Sequence, residues 1–176
     1  MPQLHFHPHH KKLVQEAVVI AEEMTSDFFK LTPSHWRRAR YDIATLEALG
    51  QEEISSHALA LVAKYDGLPP GRELRSSSFD FYRVCLQDHN ILKTLASRHD
   101  LKLFPFLCYI LTHELVHIVR FSRFEARFET SAAEKLQEEN LVHRLTWKIL
   151  APLNSLDLGP VIDYYQEHWQ DWQGGC

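Results

Sequence analysis

The chain has 176 residues, of which 45% are hydrophobic and 24% charged, as expected for one globular domain and not for a disordered chain. Its net charge of -4 gives no electrostatic footprint for nucleic acid or an anionic membrane surface, so neither is expected as a partner. The three cysteines are widely spaced and form no Cys-x-x-Cys pair, which indicates neither a disulfide framework nor a thiolate zinc knuckle and favours a reducing compartment. The unusual number is 12 histidines, because histidine is the commonest metal ligand.

The two ends of the chain give the first expectations about location and mobility. The N-terminus lacks the charged-then-apolar order of a signal peptide, and no uninterrupted apolar run reaches the roughly 18 residues of a spanning helix. We therefore expect a soluble, cytoplasmic, single-domain protein over residues 1–176, with flexible ends at 1–10 and 170–176. The first of these ends contains a histidine tract, for which a mobile segment with adventitious metal affinity is expected. The tract consists of His5, His7, His9 and His10.

The first part of the chain favours helices. Apolar residues at near-helical spacing after Pro8 predict a first helix from Pro8 to Phe29. The sequence Thr-Pro-Ser at 32–34 offers a cap for a second helix to about residue 49, which Gly50 would end. Residues 52–65 are predicted as a third helix, and the Gly- and Pro-rich run at 67–71 breaks the chain.

The second part contains the one clear strand and the helices that carry polar residues. Residues 79–86 are rich in aromatic and β-branched side chains and predict a strand, almost the only one in the chain. A short helix to Ser97 follows, beginning at Asp88 or Asn90, and then come an apolar helix over about 105–121 and a long helix over about 131–150. The rest is predicted as an aromatic tail. The fold expected is mainly α, in the α+β class with minimal strand content.

The apolar helix contains the motif His-Glu-Leu-Val-His at 113–117. His113 and His117 are four residues apart, so both rings project from one face of a helix and can bind one metal ion. Glu114 stands beside them, where it can reach a metal-bound water. This pattern predicts a zinc-dependent hydrolase with one Zn²⁺ per chain, in which the zinc lowers the pKa of its water and Glu114 acts as general base.

A third ligand must come from another element. A metzincin would place glycine and histidine at positions 120 and 123, where this chain has arginine, so that class is excluded. On the 131–150 helix, the polar stripe puts the buried face near Val142 and Thr146, and Glu139 lies closer to that face than Glu138. His143, one turn further on, is placed to support Glu139.

An H-E-x-x-H helix followed by a helix with a ligand glutamate resembles the gluzincin metallopeptidases, and in particular the compact ImmA/IrrE-like group. The resemblance covers about residues 105–152. It implies a zincin-like domain in which a helix bearing His113 and His117 packs on a helix bearing Glu139, the third ligand. It also implies peptidase activity on a peptide or protein. Glu138 is the first alternative to Glu139 as ligand, and Glu134 the second.

Other residues are candidates for supporting roles. Arg120 shares the metal-facing side of its helix and could bind a substrate carboxylate or steady Glu139, although an ordinary ion pair is the simpler expectation. The donor that stabilises a tetrahedral intermediate could be Tyr109, Tyr82 or His143. Cys176 could reach the metal as an inhibitory thiolate, although a solvated C-terminus is the default expectation. The 79–86 strand is the expected edge along which an extended substrate would pair.

Two other functions are compatible with the sequence. The first is a non-catalytic helical protein with a structural or sensing zinc, which a fourth protein ligand such as His143 or Cys176 would favour. The second is a ferritin-like di-metal carboxylate protein, since Glu114 and His117 also form an E-x-x-H pair and Glu22 or Glu23 could contribute. That architecture requires a second E-x-x-H pair, and Glu139 with His143 is one residue too long.

Overall fold

The computed structural model describes residues 4–66 and 80–168. These residues form six helices, three strands and two 3-10 turns, so the fold is mainly α with a small sheet, as the sequence predicts. The helices are α1 Pro8–Phe29, α2 Pro33–Arg38, α3 Asp88–Ser97, α4 Leu103–Ser122, α5 Ala132–Leu150 and α6 Gly159–His168. The strands are β1 Arg40–Ala44, β2 Ala60–Asp66 and β3 Asp80–Leu86, and the 3-10 turns are Leu46–Ala48 and Gln51–Glu53.

The first helix has the predicted bounds. Pro8 stands in its first turn, where its fixed φ suits a helix and its missing N–H is not needed. The backbone N–H of His7 donates to Nδ1 of His10 at 3.0 Å and closes the N-terminus. The buried positions of α1 recur at three- and four-residue intervals, and the small side chains among them allow close packing against α4. They are Val14, Ala17, Ala21 and Thr25.

The predicted second and third helices are wrong over most of their length. The second ends at Arg38, and residues 40–44 form β1 instead. In place of the third helix, the chain has a 3-10 turn and then β2 at Ala60–Asp66. Local pattern fails here because both strands are fixed by pairing with β3, which is distant in sequence.

The sheet has the order β1-β3-β2. β1 runs parallel to β3, with Arg40 opposite Phe81, and β2 runs antiparallel to it, with Ala60 opposite Leu86. The predicted 79–86 strand is therefore confirmed for Asp80–Leu86, but the idea that it is almost the only strand is wrong. As the central strand, β3 has both edges occupied, so it is not the free edge expected for a substrate.

The core is built around α4. Every residue from Pro105 to Val119 on this helix is buried, including the polar ones. By length and composition α4 is apolar enough to cross a membrane, but 83% of its apolar stretch is buried within the described fold, as in the core helix of a soluble protein. The sequence predicts an aromatic tail after the last long helix, but the structure has the helix α6 there. α6 packs Tyr164 and Tyr165 against Phe106, with ring centroids 5.5 and 6.2 Å apart.

The described part of the N-terminus is attached to the fold through Phe6. Its side chain is buried, and its backbone N–H donates to Oδ2 of Asp88 at 2.8 Å. The other oxygen of Asp88 accepts from the N–H of Leu46 at 3.0 Å. Asp88 therefore joins the N-terminus, the loop after β1 and α3, in addition to opening the predicted helix. Cys176 and the rest of the predicted tail from residue 170 lie outside the described residues.

Candidate metal centre

The H-E-x-x-H motif lies in the middle of α4. His113, Glu114 and His117 are all buried, and the two histidine rings meet edge to face with centroids 4.8 Å apart. Their Nε2 atoms are 3.1 Å apart. The helix thus brings both side chains to one point, as the four-residue spacing predicts.

Glu139 comes to this point from α5. Its Oε2 is 3.1 Å from Nε2 of His113, and its Oε1 is 2.9 Å from Nε2 of His117. The register between the helices is set one turn further on, where Val142 packs against Val116 of α4 in a small apolar cluster. The expected third ligand is therefore the glutamate that the fold places against both histidines.

These three side chains fit a small divalent cation. Zinc binds histidine nitrogen and carboxylate oxygen at about 2.0–2.2 Å, so tetrahedral ligand atoms are spaced by about 3.3 Å, close to the observed separations. Without a cation, the three contacts between Glu139, His113 and His117 cannot all be attractive when Glu139 is ionised. Two protonated Nε2 atoms repel each other, and an unprotonated Nε2 repels the carboxylate. A cation between them makes all three contacts attractive at once. The histidines hold the pKa of Glu139 well below its usual range, even though burial, the largest single effect, acts in the opposite direction.

The two alternative glutamates have other partners. Glu138 forms a bidentate ion pair with Arg120, in which Nη2 and Oε2 are 3.0 Å apart. Glu134 accepts a hydrogen bond from the hydroxyl of Thr130 and is exposed in the first turn of α5. Arg120 also reaches Glu125, with Nη1 and Oε2 separated by 3.2 Å, so it joins α4 to α5 and the intervening loop.

His143 forms the far side of the centre. Its Nε2 is 3.9 Å from Oε2 of Glu139, and its Nδ1 is 3.0 Å from the hydroxyl of Tyr109. One ligand atom from each of His113, Glu139 and His143 lies within 4.8 Å of the others. Burial, the largest effect, and the neighbouring His113 lower the pKa of His143 to about 2, and the carboxylate of Glu139 only partly opposes them. A neutral imidazole has one protonated nitrogen, and the hydrogen bond between Nδ1 and Tyr109 decides which one it is. Nε2 is a metal ligand when Nδ1 carries the proton, and a hydrogen-bond donor when Nε2 carries it.

Among the described residues nothing bonds Nδ1 of the two motif histidines, so ring packing and the contacts of Nε2 orient them. Nδ1 of His113 and Nδ1 of His117 are buried and have no hydrogen-bond partner among the described residues, whereas metal-binding histidines usually donate that N–H to a neighbour. The ring of Phe121 is stacked on that of His117, with centroids 5.8 Å apart and planes 17° apart. Phe121 also contacts Phe128 edge to face at 5.4 Å.

A cavity of about 560 Å³ opens on one side of the centre. His113, Glu114, His117 and Glu139 all line it, and β2 forms its opposite wall through Ala60–Val62. Within the described residues, β2 is an edge strand, so its outer edge is unpaired. Burial raises the pKa of Glu114 above its usual range, despite the opposing charges of His113 and His117.

The cavity also contains polar residues that the sequence interpretation did not identify. His57, Arg127, Thr130 and Lys135 line it, whereas the three residues expected to donate to a reaction intermediate do not. His143 instead borders a separate small space of about 20 Å³, which Glu139 also lines, and Tyr82 lines another cavity. Three of the four new residues are in loops, so only the folded chain reveals their proximity.

Comparisons with family models, with curated proteins and with solved structures found no match to this chain. The function must therefore be argued from the side chains of the site itself.

The other histidines and acidic residues considered for metal binding have local roles. The rings of His7, His9 and His10 pack on one another at the start of α1, with His9 and His10 centroids 3.9 Å apart. Glu22 interacts with Tyr41, whose pKa is raised by burial and by this carboxylate. Glu23 borders a different cavity, near α4's first turn.

Proposed function

We propose that this protein is a single-zinc metallohydrolase, most specifically a peptidase that acts in the cytoplasm on a peptide or protein. The observation that carries the proposal is the convergence of His113, His117 and Glu139 within about 3 Å of one another, beside Glu114 and a cavity. His113, His117 and Glu139 would hold Zn²⁺, which supplies a coordinated water with a pKa lowered toward about 7 and polarises a substrate carbonyl.

Glu114 is the group that accepts and returns the proton. Its carboxylate follows His113 directly and lines the same cavity as the ligands. Because burial raises its pKa, the carboxyl group is a better proton acceptor than an exposed glutamate, and this suits a general base near neutral pH. The same group can then deliver the proton to a departing amine.

The outer edge of β2, which pairs with no other described strand, supports a peptide as substrate. An extended peptide can add to an exposed strand edge through main-chain hydrogen bonds, and Ala60–Val62 line the cavity that contains Glu114. The cytoplasmic location is supported by Cys85 and Cys108, which are both buried and unpaired, as is usual in a reducing compartment.

The test measures metal content and cleavage in matched variants. Metal per chain is determined by elemental analysis of purified protein, and cleavage is followed by mass spectrometry on a random peptide library. We expect about one zinc per chain in the wild type. Glu114→Gln should keep the zinc and lose cleavage, whereas His113→Ala should lose both. Glu138→Gln is the control, since that carboxylate binds Arg120, and it should keep both.

Absence of stoichiometric metal from the wild type, or unchanged metal content in His113→Ala, would refute the proposal. Unchanged cleavage in Glu114→Gln would refute the role of Glu114.

A structural or sensing metal site is a second candidate because His143 offers a fourth ligand atom near His113 and Glu139. Four protein ligands close a zinc shell, whereas a catalytic site keeps one position open. The two candidates are distinguished by replacing zinc with Co²⁺ and adding acetohydroxamic acid. A change in the visible spectrum indicates an open position and favours the enzyme, and an unchanged spectrum favours the closed site.

A further inference from the structure

A second cavity, of about 480 Å³, lies at the other side of Phe121. It is formed by the C-terminal ends of α1 and α4, by α2 and by the start of β3. We call it the basic cavity, because Lys30, Arg38 and Arg123 line it together with His35 and Ser122. Its volume falls within the range of about 300–1,000 Å³ that is typical of small-molecule sites.

The cations of the basic cavity outnumber the acidic groups in its described lining. None of Lys30, Arg38 and Arg123 forms an ion pair with a described carboxylate, and Asp80, the acidic residue of the lining, pairs with Lys64 at 3.4 Å. The pKa of His35 is lowered by burial and by the charges of Arg123 and Arg38. The cavity therefore has a positive potential.

Helix ends explain the individual positions of these cations but not the whole arrangement. Lys30 and Arg123 are the C-cap residues of α1 and α4, where positive side chains complement the helix dipole. Arg123 also donates from Nη2 to the carbonyl of Phe29 at 3.2 Å. These contacts account for Lys30 and Arg123 at the helix ends. They do not account for Arg38 or for the cavity that the three side chains line together.

Phe124 is the second independent feature of the basic cavity. Its side chain is 91% exposed and borders the cavity, which is unusual for a large aromatic residue. Its φ of 57° is left-handed, and glycine or asparagine is preferred at such a position after a helix. The chain thus holds an aromatic ring in solvent on an unfavourable backbone, at a cavity that three cations also line.

We propose that the basic cavity binds a nucleotide, with the phosphates contacted by Lys30, Arg38 and Arg123 and the base stacked on Phe124. Exposed aromatic rings next to cations are the usual means of binding a base and its phosphate together. His35 and Ser122, whose Nε2 and Oγ are 3.4 Å apart, are the neutral hydrogen-bonding groups of the same wall. The site is distinct from the metal centre, because two stacked rings lie between the cavities. Phe121 lines the metal cavity and Tyr82 lines the basic cavity, with ring centroids 6.4 Å apart.

The test uses isothermal titration calorimetry of the full chain with ADP, inorganic phosphate and adenosine. We expect ADP to bind more tightly than phosphate, and adenosine to show no measurable binding. Arg38→Glu should weaken ADP binding by at least about tenfold, since it replaces an attractive charge by a repulsive one. Its control is Arg37→Glu, a neighbouring exposed change on α2 outside the cavity lining, which should leave the affinity within about twofold.

Phe124→Gly separates ligand binding from folding. The variant should weaken ADP binding about tenfold through loss of stacking and leave phosphate binding unchanged, while Phe124→Trp should restore ADP affinity.

Equal affinity for ADP and adenosine, equal effects of Arg37→Glu and Arg38→Glu, or no binding of ADP would each overturn the proposal. Binding of a single-stranded oligonucleotide without binding of ADP would also overturn it.

Discussion

The two cavities on either side of Phe121 differ in how their charged groups are held. In the metal cavity, the buried His113 and His117 and the half-buried Glu139 face one another at about 3 Å, so their positions are fixed by the packing of α4 on α5. In the basic cavity, the cations Lys30, Arg38 and Arg123 are exposed. Buried groups define a coordination geometry, whereas exposed ones define a potential and a shape. A single substitution should therefore change binding strongly in the metal cavity and more weakly in the basic cavity.

The largest effect is expected from changing the carboxylate that completes the metal centre. Glu139→Gln removes the negative ligand and leaves two histidines, so zinc affinity should fall by about 100-fold or more. Glu138→Gln makes the same chemical change one position earlier and should lower zinc affinity less than about threefold, since it removes only a partly exposed pair with Arg120. Competition titrations with a chromogenic chelator measure both values. Similar losses in the two variants would mean that the centre is not fixed by Glu139.

Phe121→Ala tests whether packing on Phe121 is what orients His117. The ring contacts His117, Tyr82 and Phe128, and its truncation should lower the free energy of unfolding by about 2–4 kcal/mol. Because Nδ1 of His117 has no hydrogen-bond partner in the described part of the chain, zinc affinity should fall as well, by about tenfold. Urea unfolding and chelator competition give the two numbers.

The control for that substitution is Phe28→Ala, whose exposed side chain should cost less than about 1 kcal/mol. Loss of stability in Phe121→Ala without loss of zinc affinity would show that the histidine is oriented in another way.

The sequence predicted the grouping of His113, His117 and Glu139 better than it predicted the walls of the cavity around them. The motif at 113–117 and the face of the α5 helix depend on helical periodicity, which is local, and Ser131 caps α5 as its position suggests, accepting from the N–H of Glu134 at 3.2 Å. β1 and β2 were missed because their partner strand β3 lies far away in sequence, and short half-buried strands carry little local signal. The cavity walls, including His57 and Lys135, depend on those strands and loops and could not be inferred earlier.

A smaller effect is expected from the hydroxyl of Tyr109. Tyr109→Phe removes the hydrogen bond to Nδ1 of His143 but keeps the ring packed against Tyr165 at 4.5 Å. If the hydrogen bond from Tyr109 holds His143 in place beside Glu139, zinc affinity should fall by about threefold to tenfold. This is at or below the lower end of the losses seen when a residue that hydrogen-bonds to a metal ligand is replaced. Tyr165→Phe is the matched control in the same aromatic cluster. An unchanged affinity in Tyr109→Phe would remove His143 from the metal centre and weaken the closed-shell alternative.

The smallest effect concerns folding at the rim of the basic cavity, where its sign is more informative than its size. At a φ of 57°, glycine avoids the steric cost that a side chain meets in the left-handed region, so Phe124→Gly should raise the free energy of unfolding by about 0.5–1 kcal/mol. Phe124→Ala keeps the Cβ and should leave stability nearly unchanged, because the exposed ring buries little surface. Thermal unfolding of the three proteins at one salt concentration measures this order. If glycine at position 124 gives a more stable fold, the role of Phe124 lies in something other than folding. If Phe124→Gly lowers the stability instead, the ring packs against the protein in solution.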